Sequence, residues 1–210
     1  MSVTAIIVNF HTASLIPPLI QDLEDDANVT QIIVVDNSND FPDHLMDPSV
    51  KGGMILHNAV NRGFGAAVNQ GIGCSAGEWI LVANPDIRIE KNCIRRMMDA
   101  ATQYGTSLAG PRFYLDDDHV FRIPPASGAC FWQDTAMMTS LRYRLDADLF
   151  SFYWILRHER FWEASEPFVE PFLSGACLLA EKKWIDAHDG KLFDERFFYT
   201  MRIRICAYVR

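Results

Sequence analysis

Short apolar runs and longer segments of helical period alternate through the first hundred residues of the chain. The apolar runs are Val3 to Val8, Ile32 to Val35, Met54 to Leu56 and Trp79 to Ala83. Apolar side chains recur at helical spacing in the segments between them, which are Ser14 to Leu23, Phe64 to Cys74 and Lys91 to Tyr104. Strands that alternate with helices form a parallel sheet with right-handed crossovers. The pattern therefore predicts an α/β fold in which helices cover both faces of a mostly parallel sheet.

The periodicity is less regular after residue 105. Leu108 to Tyr114 is predicted as a further strand, Asp116 to Asp118 as a solvated turn and Pro124 to Gly128 as a loop. Phe150 to Arg157 has the alternation of an amphipathic helix. Such a helix would either pack on the sheet or contact a membrane interface, and the sequence leaves both interpretations open.

Composition and charge exclude several classes of protein. The chain of 210 residues has the length of one domain, and its 49% hydrophobic and 22% charged residues are ordinary for a soluble protein. A net charge of -8 argues against a nucleic-acid-binding protein, which would present a basic surface. Five cysteines without a CxxC pair predict neither a disulfide framework nor a zinc site. The sequence shows no signal peptide and no apolar run long enough to span a membrane, so we expect a cytoplasmic protein.

Two carboxylates stand where predicted strands end. Asp36 directly follows one apolar run, and Asp86 follows another after Asn84 and Pro85. Open α/β sheets bind their ligands outside the carboxyl ends of the strands. Asp86 is therefore a candidate metal ligand, and Asp36 is a candidate acceptor for hydrogen bonds from a nucleobase or a ribose. For each of them, a turn stabilised by its own side chain is the alternative.

A glycine-rich segment, NRGFGAAVNQG at 61–71, leads from the third strand into a helix. Small residues let a ligand approach the backbone, and the amino end of a helix favours phosphate groups. Arg62 lies just before that helix, where it can contact a base or a diphosphate. The segment is not a dinucleotide loop, because Val68 stands where GxGxxG requires glycine, and the chain has no GK[ST] of a Walker A motif.

Together these motifs resemble the family 2 glycosyltransferases, in the branch that includes bacterial rhamnosyltransferases of polysaccharide assembly. The matching segments, in chain order, are IIVNF at 6–10, VVDNS at 34–38, NRGFGAAVNQG at 61–71, GEWILVANPD at 77–86, FLSGACLL at 172–179 and FDERFF at 193–198. The resemblance implies one domain of the Rossmann-like GT-A fold. Residues 1–105 would form its nucleotide-sugar-binding half and residues 106–210 its acceptor-side half.

The resemblance also implies an activity and its site residues. A sugar, rhamnose-like or another hexose, would pass with inversion from a dTDP- or UDP-sugar to a polysaccharide or lipid-linked acceptor, with peripheral contact at the inner face of the membrane. Asp86 would bind Mg²⁺ or Mn²⁺, which stabilises the departing diphosphate. The nucleotide side would comprise Asn9, Asp36, Asn61, Arg62, Gly63 and Asn84, and the sugar and acceptor side would comprise Ser174, Gly175 and Ala176.

The carboxyl-terminal residues depart from the family pattern. Relatives continue after FDERFF with an acidic stretch that supplies the general base, whereas no acid follows Glu195 here. Asp194 and Glu195 are the remaining candidates for that base. One codon choice for residues 199–209, read two nucleotides later, encodes the acidic stretch YDEDTDLC. We therefore expect an out-of-frame tail that replaces the carboxyl-terminal part of a longer enzyme, with a divergent natural tail as the alternative.

Three functions follow from these observations. The first is an active glycosyltransferase, and the second is a nucleotide-sugar-binding remnant that lacks the general base. The third is a nucleotidyltransferase on a similar sheet. That enzyme would need a basic, glycine-rich loop directly after the first strand, and Asn9 to Thr12 provides none.

Overall fold

The structure, a computed structural model, describes residues 1–46, 49–123, 164–169, 173–196 and 208–209. Its strands are β1 (Val3–Asn9), β2 (Val29–Asp36), β3 (Met54–His57), β4 (Trp79–Ala83), β5 (Leu108–Pro111), β6 (Phe113–Tyr114), β7 (Arg122–Ile123), β8 (Cys177–Glu181) and β9 (Tyr208–Val209). Its helices are α1 (Ile16–Asp25), α2 (Phe64–Gly73), α3 (Cys93–Tyr104) and α4 (Lys182–Asp186), with 3-10 turns at Ala13–Leu15 and Asp43–Leu45. The predicted strands and helices of the first 105 residues are all confirmed, with ends that differ by no more than about three residues.

Seven strands form one sheet in the order β3-β2-β1-β4-β8-β5-β9. The four strands from β3 to β4 run parallel to one another, whereas β8 is antiparallel to both β4 and β5. The prediction of an α/β fold with a mostly parallel sheet is therefore confirmed. The predicted strand from Leu108 to Tyr114 is divided in two, because Phe113 and Tyr114 pair with β7 in a separate hairpin. Pro111 ends the first part, since it has no N–H to donate to a neighbouring strand.

The core lies on both faces of the sheet. Every residue of β1 and β4 is buried, as the continuous apolar runs predict for central strands. Ile7 packs with α1 and α3 on one face, while its neighbour Ile6 packs with α2 on the other. Helices therefore cover both faces, and the parallel strands β1, β2 and β4 bring their carboxyl ends to the same edge.

Some sequence hypotheses concern residues outside the described ranges. These are the loop at Pro124 to Gly128, the amphipathic helix at Phe150 to Arg157 and the expected out-of-frame tail, of which only β9 is described. The turn predicted at Asp116 to Asp118 does connect β6 to β7. Within the described ranges, no helix is both long enough and apolar enough to cross a bilayer.

Candidate functional site

A cleft of about 300 Å³ opens at the carboxyl edge of the sheet. Its polar lining is formed by Thr12, Asn37, Asn61, Asn84 and Asp86. Its apolar walls are formed by Val8, Phe10, Leu15, Phe64 and Pro85, and Gly63 completes the lining. Phe10 and Leu15 are each about half exposed at its mouth. Mostly apolar walls with a few polar groups that can orient a ligand are typical of small-molecule sites.

Asp86 lies in this cleft, at the turn that follows β4. The turn is held by two backbone hydrogen bonds: the N–H of Asn84 donates to the carbonyl of Ala176 at 2.8 Å, and the N–H of Ile87 donates to the carbonyl of Asn84 at 3.4 Å. Asp86 itself is exposed, and its carboxylate forms no hydrogen bond or ion pair with the rest of the described chain. The carboxylate is therefore available to a ligand.

An ion pair two residues beyond Asp86 fixes the segment that carries it. Arg88 donates to both carboxylate oxygens of Asp22 in α1, at 2.7 and 2.6 Å, and the N–H of Ile89 donates to Asp22 at 3.0 Å. Burial acts to raise the pKa of Asp22, but the hydrogen bonds from Arg88 and Ile89 outweigh it, so the pKa is lowered. The helix α1 thus anchors the chain just after the candidate metal ligand.

Asp36 is completely buried behind the lining of the cleft. Its Oδ1 accepts from the Asn9 amide at 2.9 Å and from the N–H of Ser38 at 3.1 Å, while its Oδ2 accepts from the N–H of Phe41 at 2.9 Å and lies 3.1 Å from His57 Nδ1. Burial alone would raise the pKa of Asp36, but these donors lower it. The contacts expected of a turn cap are therefore all present. The role in nucleoside recognition stays a prediction.

Asn9 supports the same region from the end of β1. Its amide group also donates to Asp40 at 2.7 Å, and its side-chain oxygen accepts from the N–H of Thr12 at 3.0 Å. Its backbone carbonyl accepts from the N–H of Asn37 at 2.8 Å. Because Thr12 and Asn37 both line the cleft, Asn9 shapes the site from beneath.

The glycine-rich segment enters the cleft at the start of α2. Asn61 accepts a hydrogen bond from the N–H of Gly63 at 2.8 Å. Gly63 has a φ of 82°, which a residue with a side chain rarely adopts, so glycine is needed at this position. Arg62 is exposed and does not line the cleft; its guanidinium lies 3.4 Å from the side-chain oxygen of Gln70. Of the predicted nucleotide-binding set, Asn61, Gly63 and Asn84 line the cleft.

The predicted acceptor-side residues lie beside the turn that carries Asp86. Ala176 accepts the backbone hydrogen bond from Asn84, and its own N–H donates to Ser174 Oγ at 3.2 Å. Ser174, Gly175 and Ala176 are all partly exposed. The structure therefore brings this segment next to the candidate metal ligand, although the three residues do not line the cleft.

The two candidate bases are already engaged with other side chains. Hydrogen bonds from Arg196 hold the pKa of Asp194 at about 2. Glu195 accepts from Asn69 at 3.0 Å and pairs with Lys191 at 3.1 Å, and these contacts lower its pKa. A general base is most effective with a pKa near the working pH, and these two carboxylates are displaced from it in the wrong direction. Their assignment as base stays a prediction that the local electrostatics do not favour.

Two polar residues of this region were given no site role from the sequence. His57 lies opposite Asp36 in the register of β2 and β3, and the two polar strand ends are the signal that could have paired them. Asn69 in α2 accepts from the N–H groups of Leu192 and Phe193 at 3.0 and 3.2 Å and donates to the Phe193 carbonyl at 2.8 Å. No local pattern predicts that contact, because more than a hundred residues separate the partners.

Comparison with known proteins gives matches over most of the chain. A family model described as Glycosyl transferase family 2 matches residues 4–186. The chain is 29% identical over 164 residues to the N-acetylglucosaminyl-diphospho-decaprenol L-rhamnosyltransferase of two Mycobacterium tuberculosis strains, which covers 70% of this chain and 49% of the relative. It is 32% identical over 113 residues to the succinoglycan biosynthesis protein ExoO of Rhizobium meliloti, covering 51% of this chain and 32% of the relative. The chain thus spans about half of the length of the rhamnosyltransferases, and less of ExoO.

Two solved structures share the fold. The mannosyltransferase PcManGT from Pyrobaculum calidifontis, in complex with GDP-Man and Mn²⁺, aligns with a TM-score of 0.60 at 13% identity over 92% of this chain and 47% of its own. Residues 1–349 of S. aureus TarS align with a TM-score of 0.58 at 13% identity over 100% of this chain and 60% of that one. At these identities the similarity shows the fold alone.

Proposed function

This chain belongs to glycosyl transferase family 2, and from that premise we propose that its cleft binds a nucleotide diphosphate sugar whose sugar passes, with inversion, to a glycan or lipid-linked acceptor. The observation that carries the proposal is the position of Asp86. It is an exposed carboxylate without a partner in the described chain, and it shares one cleft with Asn61, Asn84 and the start of α2. A diphosphate in that cleft would lie between a carboxylate-held ion and a helix amino end.

The residues around Asp86 fit a divalent ion that is shared with the substrate. The described residues contain no group of three or more histidines, cysteines or acids that could hold a metal on their own. Mg²⁺ is commonly held by one or two carboxylates together with substrate phosphates and water. We therefore propose Mg²⁺ or Mn²⁺ as cofactor, with Asp86 as its protein ligand. When bound, the ion supplies positive charge that stabilises the departing diphosphate. It follows that the ion and the nucleotide should bind cooperatively.

The remaining residues bind and orient the substrate in this proposal. Apolar walls, among them Phe10 and Leu15, would contact the nucleobase, while Asn61 and Gly63 would place the amino end of α2 near the diphosphate. Asp36 and Arg62 would act on the base side. Arg62 is exposed and only loosely held by Gln70, so its side chain is free to turn toward an anion. Ser174, Gly175 and Ala176 would border the sugar and the acceptor.

The names of the sequence relatives support a class of donor and acceptor. One is named for transfer of L-rhamnose to N-acetylglucosaminyl-diphospho-decaprenol, and another for succinoglycan biosynthesis. We propose for this chain a dTDP- or UDP-sugar carrying rhamnose or another hexose. The acceptor would be a growing bacterial surface polysaccharide. The protein would reach it from the cytoplasm, through peripheral contact with the membrane.

The cooperative binding can be tested by calorimetry with dTDP and UDP, with and without Mn²⁺. We expect Mn²⁺ to tighten nucleotide binding and Asp86→Asn to remove that gain, because loss of even an outer partner of a metal ligand typically costs about tenfold or more in metal affinity. Asp118→Asn, at the exposed tip of the β6–β7 hairpin, is the matched control and should keep the gain. If Asp86→Asn binds both nucleotides with the same Mn²⁺-dependent gain, the assignment of Asp86 is wrong.

A second candidate function is supported by the engagement of Asp194 and Glu195. With both carboxylates paired and their pKa values lowered, the protein would bind the nucleotide sugar without turning it over. Loss of a general base costs about 10²- to 10⁴-fold in rate. A transfer assay with dTDP-rhamnose and a lipid diphosphate acceptor separates the two functions: binding without product favours the non-catalytic protein, whereas product formation at ordinary rates rejects it.

A further inference from the structure

His57 joins two carboxylates at the edge of the sheet. Its Nδ1 lies 3.1 Å from Asp36 Oδ2, and its Nε2 lies 2.9 Å from Asp43 Oδ1. Asp36 is completely buried, His57 is 38% exposed and Asp43 is 84% exposed. An ionised carboxylate oxygen can only accept a hydrogen bond, so both ring nitrogens must donate. The arrangement therefore selects the positively charged form of His57.

These contacts fasten one segment, Ser38–Leu45, across the ends of β2 and β3. The N–H groups of Ser38 and Phe41 donate to the two oxygens of Asp36, and Asp43 begins the 3-10 turn that ends at Leu45. His57 connects these two anchors from β3. The positive charge of His57 thus supports the one buried carboxylate of the cluster and the far end of the segment at once.

The same cluster borders the cleft through Asn37. This residue directly follows Asp36, lines the cleft, and donates to the carbonyl of Gly63 at 3.3 Å. Its side-chain oxygen accepts from Asn58 at 2.8 Å, and Asn58 directly follows His57. Displacement of the Ser38–Leu45 segment would therefore shift a lining residue and its contact with the start of α2.

We propose that His57 is a positioning residue whose positive charge keeps the Ser38–Leu45 segment closed, and that the affinity of the cleft for a nucleoside diphosphate falls when His57 loses its proton. This inference rests on the proposed function, because it assumes that the cleft binds such a nucleotide. It adds a pH dependence and a residue that the family resemblance does not assign. His57 itself does not line the cleft and is not a catalytic residue.

The direction of the pH dependence follows from the charged neighbours. The hydrogen bond to Asp43 raises the pKa of His57 above its ordinary value; burial opposes this and Asp36 reinforces it. The stabilisation is therefore complete below the ordinary value of about 6.5 and is lost as the pH rises through the raised pKa. The pKa values of Asp36 and Asp40 are lowered, so both stay ionised through this range. Asp40 joins the cluster through Ser38 and Asn9 and pairs with His11, and His44 adjoins Asp43 in the 3-10 turn.

The first experiment follows the His57 ring by NMR in the ligand-free protein while the pH is varied. We expect its titration midpoint to lie above the ordinary value, and to move down in Asp43→Asn, which removes the exposed partner. The protection factors of the Ser38 and Phe41 amides, which compare exchange with the intrinsic rate at the same pH, should fall once His57 is neutral. A midpoint at or below the ordinary value, unchanged in Asp43→Asn, would overturn the proposal without reference to any nucleotide.

The second experiment measures the affinity for dTDP and UDP with Mg²⁺ at about pH 6 and about pH 9, either side of the expected titration. The parent should bind about tenfold more weakly at the higher pH, as expected for loss of a charged hydrogen bond. His57→Gln should bind weakly at both, and whatever pH dependence remains in it reports groups other than His57, including the nucleotide itself. His119→Gln, in the β6–β7 turn where His119 pairs with Glu90 and contacts no member of the cluster, is the matched control and should behave like the parent.

The two experiments separate this inference from the proposed function. Should His57→Gln keep both the affinity and the pH dependence of the parent, His57 does not position the site. If neither nucleotide binds at any pH, both the proposed function and the predicted effect of His57 on nucleotide affinity are wrong. The NMR titration still decides whether His57 holds the Ser38–Leu45 segment closed.

Discussion

Asp36 shapes the cleft from a position that a ligand does not reach directly in this structure. Its side chain has no exposed surface, and each of its oxygens accepts at least two hydrogen bonds from neighbouring groups. A buried charge is tolerated only when it is satisfied in this way. Contact with a nucleoside would therefore require one of these donors to be exchanged for a group of the ligand.

Replacement of Asp36 by asparagine should test both its structural and its binding role. The new NH₂ group of the asparagine would face the Phe41 N–H or the Asn9 amide, both of which are donors, and a donor facing a donor leaves both unsatisfied. We therefore expect the free energy of unfolding, measured by urea denaturation, to fall by about 1–3 kcal/mol. Asp40→Asn, at a carboxylate that is 40% exposed, should cost less than about 1 kcal/mol.

The same pair of variants separates the turn cap from the nucleoside contact. If Asp36 also recognises the nucleoside, Asp36→Asn should weaken nucleoside binding in the absence of metal, measured at a temperature where the variant is folded. If Asp36→Asn lowers the free energy of unfolding but leaves nucleoside affinity unchanged, Asp36 stabilises the turn and does not contact the nucleoside.

The sequence could predict which residues stand at the edge of the sheet, because an apolar strand ends abruptly at a polar residue. Asp36 and Asp86 were found in this way, and both lie at that edge. The partners of Asp36 could not be predicted, because hydrogen bonds between distant segments leave no local pattern. The contact of Asp36 with His57 depends on the register of two strands, and that of Asn69 with Phe193 on the packing of α2 against a segment far along the chain.

At the scale of elements, the close approach of α2 to β1 depends on one glycine. A Cβ at Gly71 would lie 2.8 Å from Ile6 Cγ2, closer than packed carbon atoms come. Gly73, at the end of the same helix, would meet nothing within 4 Å. Gly71 and Gly73 are therefore a matched pair: both are glycines of α2, but only Gly71 is closely packed.

Alanine at these two positions should have opposite effects on thermal unfolding. Gly71→Ala should destabilise the protein by about 1–3 kcal/mol, because Ile6 and α2 must move apart. Gly73→Ala should leave stability unchanged or raise it by up to about 1 kcal/mol through higher helix propensity. Equal melting temperatures for the two variants would contradict the packing described here.

Periodicity predicted the type of each early element but not the order of the later strands. β1 to β4 follow the simple alternation of strand and helix, so their parallel arrangement could be predicted. β8 enters the sheet between β4 and β5 and runs against both, and the burial of Cys177–Glu181 alone carries no information about its neighbours. The division of Leu108 to Tyr114 likewise depends on which strand is within reach of Phe113.

At the scale of the whole molecule, the parallel strands determine where chemistry can occur. β1, β2 and β4 end at one edge, so residues that are far apart in the sequence share one cleft there. The net charge of -8 gives no general attraction for an anionic substrate. In the proposed function, a diphosphate would therefore have to be held locally, by the start of α2 and by an ion on Asp86.

The most direct test of this account is a crystal structure of the protein with Mn²⁺ and either UDP or dTDP, in which anomalous scattering locates the ion. We predict a manganese peak within about 2–2.5 Å of a carboxylate oxygen of Asp86, bridged to the diphosphate, with the base between the apolar walls of the cleft. A nucleotide and ion bound elsewhere, with nothing beside Asp86, would contradict it.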